Sequence, residues 1–148
     1  MLKTIIKRIL LAIPMLIVMF IIFGFSGADG LESGSLSYAI AIWVSDVFDA
    51  IGVELSAEEL HLPIRKLAHM SEYALLFITS MWALLGIKKR YLFAACISVM
   101  FAISDEIHQL FVPGRAGSAV DVLIDSVGVG IGMLVYRIFG PIFNKYIF

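Results

Sequence analysis

The chain has 148 residues, of which 61% are hydrophobic and only 16% are charged. Soluble domains are about half apolar and about a quarter charged, so a small soluble domain is excluded and most of this chain must face lipid or other helices. The net charge of −1 selects no partner, the single Cys96 rules out an intrachain disulfide, and the length suits one domain over 1–148.

Lys3, Lys7 and Arg8 precede an unbroken apolar run from Ile9 to Phe25 that contains Pro14. A basic start before an apolar run also describes a secretory signal peptide, with Ser26-Gly27-Ala28 as small residues for cleavage. A retained first span over about 7–25 is the preferred reading, because the run exceeds the usual signal core of about 7–15 residues. Pro14 is tolerable in a membrane bundle, where it would kink the helix.

The segment 26–64 is extracytoplasmic in this reading. Between Ser26 and Pro63 it carries seven acidic residues and no Lys or Arg. Gly, Ser and Asp around 26–35, with Glu32 among them, predict a loop. From Leu36 to Ile51, apolar residues at steps of three and four, with Ser45, Asp46 and Asp49 opposite, predict an amphipathic helix in the membrane interface. Trp43 fits the headgroup level. Ser56-Ala57-Glu58-Glu59 has the form of a capping box opening a short helix.

Three further spans follow, at about 65–87, 91–112 and 118–139. Lys88-Lys89-Arg90 separates the second from the third, and Pro113 to Gly117 forms a turn before the fourth. Gly140-Pro141 is expected to stop the last helix, ahead of a short tail with Lys145. The predicted fold is therefore an all-α integral membrane bundle of four spans plus an interfacial helix. With both termini in the cytoplasm, eight of the eleven basic residues lie inside. The exceptions are Arg65, Lys66 and Arg115, all at outer ends of spans.

Those outer ends also hold the acids. Arg65, Lys66, His69, Glu72 and Tyr73 fall on one arc of roughly 120° at ~100° per residue. Asp105 and Gln109 share a stripe on the third span, flanked by Glu106 and His108. Asp121, Asp125, Gly128 and Gly132 share an arc of roughly 60° on the fourth, and Gly128-x-x-x-Gly132 allows close helix approach. Ionisable groups within a membrane are costly, so three such faces predict one polar outer-leaflet cavity.

Each residue also has a plainer reading. Asp121, three residues after Ser118, suits a capping box. His69 suits a hydrogen-bonded core histidine. Glu106 and His108 suit a solvated interface, and Arg65 or Lys66 suit snorkelling to headgroups. Asp105 and Asp125 need partners, for which Arg65, Lys66 and Arg115 are the economical choice.

Arg65 to Tyr73, Ser104 to Gln109 and Pro113 to Asp121 together resemble the blocks of the VanZ-like family, bacterial multi-pass membrane proteins named for a link to teicoplanin resistance. The likeness reaches the first span and the 25–34 segment. It implies that Lys66, His69, Glu72, Tyr73, Asp105, Glu106, Gln109, Arg115, Asp121, Gly128 and Gly132 form the polar signature. Position 125 departs: the family often has Asn where this chain has Asp125.

Two function classes follow. In the first, the protein resides in the bacterial cell membrane and binds membrane lipid or a lipid-linked cell-wall precursor. Arg65, Lys66 and Arg115 hold the anion, the carboxylates Asp105, Asp121 and Asp125 serve as counter-charges, and glycopeptide susceptibility is one possible consequence. In the second, it is an intramembrane hydrolase acting on a lipid-linked substrate, with Glu72, Asp105 or Glu106 as base and His69 as acid or ligand. The non-enzymatic reading is preferred, because no nucleophile with an obvious base stands out. A structural subunit of a membrane complex is a third reading. No cofactor, metal or nucleic-acid partner is expected, since His-x-x-Glu and Asp-Glu-x-x-His are not strong metal patterns.

Overall fold

The computed structural model describes the backbone of residues 2–27 and 30–147 and the side chains of 2–27 and 34–142. The described residues form five helices and no strand: α1 (Leu2–Gly27), α2 (Gly30–Ala50), α3 (Ala57–Ala83), α4 (Arg90–Gln109) and α5 (Ala119–Ile147).

α1 buries only Val18, Ile22 and Ser26, a stripe at four-residue spacing that faces the bundle. Its other apolar residues point outward, Phe20 at 79% exposure. The loop expected over 26–35 is corrected here: α1 runs to Gly27 and α2 begins at Gly30. Serines remain compatible with helix when their hydroxyls bond back to the preceding turn, as Ser37 does to the Gly34 carbonyl at 3.1 Å. Ala28 and Asp29, and the side chains of Glu32 and Ser33, lie outside the described residues.

The capping box at the start of α3 forms in full. Ser56 Oγ accepts the Glu59 N–H at 3.3 Å, and Glu59 Oε2 accepts the Ser56 N–H at 2.9 Å. The helix it opens is not short, however, but runs unbroken through Pro63 to Ala83. Proline there forfeits one bond near the N-terminus. Docking on α2 offsets that loss. Tyr38 donates to Glu58 at 2.6 Å, Ser37 Oγ and His61 Nε2 lie 2.9 Å apart, and Ser45 donates to the Leu55 carbonyl at 2.6 Å.

α3 ends at Ala83, short of the expected Ile87, and α4 ends at Gln109, short of Val112. After α4, the Arg115 N–H bonds to the Val112 carbonyl at 3.1 Å, and Gly114 takes a φ of +74° that glycine accepts without strain. The expected stop at Gly140-Pro141 is also corrected, since α5 continues to Ile147. A pre-proline residue is pushed from helical geometry by its own Cβ, and Gly140 has none. The side chain of Lys145 lies outside the described residues.

α3 is the centre of the molecule and packs against each of the other four helices. Its Tyr73, Leu76, Phe77 and Met81 are fully buried and form the core with Ile22, Ala94, Ala102, Val129 and Tyr136. The closest approach is between α3 and α5. A Cβ on Gly128 would collide with the Met70 carbonyl, and one on Gly132 would lie 2.5 Å from the Ala74 oxygen. The two glycines thus bring the backbones together as their spacing predicts.

α1, α4 and the Ala119–Ile142 part of α5 are long and apolar enough to cross a membrane. Large apolar side chains project outward from them, among them Met100 at 64% and Leu123 at 66% exposure, as lipid contact requires. α3 is more polar. Its 27 residues reach about 40 Å, and of its polar residues Tyr73, Thr79 and Ser80 are buried within the bundle.

Candidate functional site

One end of the bundle encloses a polar cavity of about 300 Å³. α3 contributes Arg65, Lys66 and His69 to its wall, α4 contributes Glu106 and Gln109, and α5 contributes Asp121 and Asp125. Arg115 closes it from the loop between α4 and α5. The three polar faces seen in the sequence therefore converge. Tyr73 and Asp105 do not reach the cavity: both are buried behind it.

Lys66 Nζ lies 3.5 Å from Asp121 Oδ1, with both side chains close to half exposed. An ion pair this open is worth about 0–1 kcal/mol, so it positions more than it stabilises. His69 Nδ1 lies 3.3 Å from Glu72 Oε2. Asp105 is 1% exposed and takes its hydrogen bond from Gln109 Nε2 at 3.3 Å, one turn along α4. Lys66 thus takes Asp121 rather than Asp105 or Asp125, because the latter two lie deeper than a side chain at the rim descends. Asp125, also 1% exposed, sits near His69. Ser26 approaches Asp105 from α1.

Glu106 and Asp121 exchange their expected parts. The solvated reading of Glu106 is corrected, since it is 7% exposed. Its Oε2 accepts the Ser118 N–H at 2.8 Å, the bond that a capping-box acid at Asp121 would have taken. Asp121 instead turns to Lys66. Gly117 makes the arrangement possible, because a Cβ there would strike the Glu106 carbonyl. His108 stacks on Phe23 with centroids 4.2 Å apart and faces α1, away from the cavity.

Arg115 donates from one terminal nitrogen to the Phe25 carbonyl at 2.7 Å. That carbonyl belongs to the last turn of α1, where acceptors lack helical partners. Burial and then the neighbouring Arg65 guanidinium lower the Arg115 pKa from its ordinary value, against the opposing pull of Asp105, Glu106 and Glu72. A guanidinium nevertheless keeps its charge. Among the described residues, no carboxylate lies within ion-pair distance of Arg65.

A second cavity of about 360 Å³ adjoins the first between α1, α2 and α3. Its wall is mainly apolar, with Phe25, Leu36, Ile40, Ile64 and Ala68. It shares Arg65, His69 and Arg115 with the polar cavity, and Glu72 lines it as well. The contributions of Phe25, Ser26 and α2 are absent from the polar signature. The Val18–Ile22–Ser26 spacing could have placed Ser26 on the inner face of α1.

Chemically, the polar cavity offers two guanidiniums and an ammonium for an anion, and the His69–Glu72 pair for proton transfer stands at its border, since Glu72 lines the adjoining cavity rather than this one. Among the described residues, no three His, Cys, Asp or Glu side chains converge as a metal-binding group. The VanZ/LLP1 family profile matches residues 9–140. No curated protein and no solved structure matched the chain. The matched stretch runs from α1 into α5 and contains every residue of both cavities, and the chain belongs to the VanZ/LLP1 family.

Proposed function

We propose that the protein is a single four-span domain of the bacterial cell membrane, with α1, α3 from Arg65 onward, α4 and α5 as spans. α2 lies in the outer interface with Trp43 at headgroup level, and both termini are cytoplasmic. In this frame the polar cavity opens to the outer leaflet. It binds the phosphate of an anionic lipid or of a lipid-linked cell-wall precursor.

One observation carries this reading. The three cations that break the positive-inside pattern, Arg65, Lys66 and Arg115, all line one cavity. The acids at its mouth are already engaged, Glu106 with the Ser118 N–H and Asp121 with Lys66. Arg65 and Arg115 line the same cavity and each disfavours the other's charge, a repulsion that an anion bound there would offset. Sequestering or repositioning a wall precursor at this site would change glycopeptide access, which is how a resistance phenotype would arise.

The test is lipid retention. Wild type, Lys66→Ala and Arg115→Ala are purified and their bound lipids identified by mass spectrometry. The reading predicts enrichment of an anionic lipid in wild type and its loss in the variants. Equal retention in all three would refute it.

A second reading, hydrolysis of a lipid-linked substrate, draws on the His69–Glu72 pair, whose 3.3 Å separation suits general-base activation of water. Turnover of lipid phosphates by wild type but not by Glu72→Gln would favour it.

A further inference from the structure

The two cavities share a wall, and the shared residues are the cationic ones. Arg65, His69 and Arg115 face both the polar cavity and the apolar groove. Resting on the anion-binding reading above, we infer that the site is built for an amphiphile. Its phosphate sits between Arg65 and Arg115, and one hydrocarbon chain of the same lipid lies in the groove between α1, α2 and α3.

The geometry of the seam supports this. Arg115 is tied to the Phe25 carbonyl at 2.7 Å, and Phe25 itself lines the groove. The guanidinium therefore marks the boundary where a charged head gives way to an apolar tail. The opposite wall is equally fixed. α2 is pinned to α3 by the Tyr38–Glu58 and Ser37–His61 contacts, which hold Leu36 and Ile40 across from Ile64 and Ala68. Leu36 is 58% exposed and Ile40 44%, so the groove is open along its side. A chain can enter laterally from a bilayer. A soluble phosphate would use only the polar cavity and would leave the groove to solvent or to unrelated lipid. Head and chain held together bury apolar surface that a free anion cannot, and the chain should supply much of the affinity.

The experiment uses the full-length protein in mixed phosphatidylcholine–detergent micelles. Dioleoyl phosphatidic acid is the probe, and bound probe is counted by mass spectrometry. sn-Glycerol 3-phosphate and inorganic phosphate are added separately as competitors. The inference predicts that neither soluble phosphate displaces the probe even in large excess. Two variants fill the groove from partly open positions on facing helices, Ala68→Trp and Ile40→Trp. Each is expected to weaken retention at least about tenfold, the scale of expelling about two methylenes. Arg65→Gln and Arg115→Gln should weaken it too. If glycerol phosphate displaces the lipid at comparable concentration, or both Trp variants retain it like wild type, the amphiphile inference is overturned. The anion-binding reading still stands in that case if the Arg variants lose the lipid. If the Arg variants also keep it, the retained lipid is annular and both readings fall.

Discussion

Glu106 Oε2 accepts the backbone N–H of Ser118 at 2.8 Å, so an acid on α4 caps the entry to α5. This gives Glu106 a structural duty that any acceptor of the same shape can perform. Glu106→Gln should keep the bond and leave thermal stability nearly unchanged. Glu106→Ala leaves the Ser118 N–H unpaired and should cost about 1 kcal/mol, the usual scale for a lost cap. Thermal unfolding in detergent checks both. A strong loss of function in Glu106→Gln at normal stability would instead make this carboxylate part of the chemistry.

Asp125 is buried beside His69, and its Oδ2 has no hydrogen-bond partner among the described residues. A buried charge without full pairing is costly. Asp125→Asn removes the charge and keeps the shape, so the melting temperature should hold or rise. A marked fall would show that the negative charge is needed to balance His69.

Gly128 and Gly132 set the distance between α3 and α5. Gly128→Ala drives a methyl group into the Met70 carbonyl, and Gly132→Ala does the same at Ala74. Each should destabilise the bundle by about 1–3 kcal/mol, as overpacking does. Gly130 has nothing within 4 Å of a built Cβ, so Gly130→Ala is the internal control and should be neutral. Denaturation curves of the three variants decide the matter.

The Tyr38 hydroxyl holds the Glu58 carboxyl below its ordinary value, helped by the backbone at Glu58. The folded pKa is lowered. The contact's contribution is therefore present above the ordinary carboxyl value and is lost as pH falls through the lowered one. Tyr38→Phe should return the Glu58 carboxyl toward its ordinary value, read from its carbon chemical shift during an acid titration. An unchanged titration would mean that the hydroxyl is not the cause.

Several parts of this architecture were legible in the residues. Helical periodicity placed Arg65, Lys66, His69, Asp121 and Asp125 on faces that do line one cavity, because a 3.6-residue repeat leaves little freedom once burial picks a side. Helix ends were less legible. Gly140-Pro141 read as a stop and Ser56–Glu59 as the start of only a short helix, yet Pro63 and Pro141 both lie inside continuous helices, since tertiary docking at α2 and the bare Cα of Gly140 override a local preference. The exchange between Glu106 and Asp121 was invisible, because a capping pattern within one helix cannot reveal a competing acid from another. The apolar groove was also hidden. It exists only where α1, α2 and α3 meet, and no single segment carries its signature.

The most direct test of the central claim is a lipid-resolving structure of the protein in nanodiscs that contain phosphatidic acid. The account predicts phosphate density within hydrogen-bond distance of both Arg65 and Arg115. A cavity free of lipid density, with phosphatidic acid bound only elsewhere on the bundle, would contradict it.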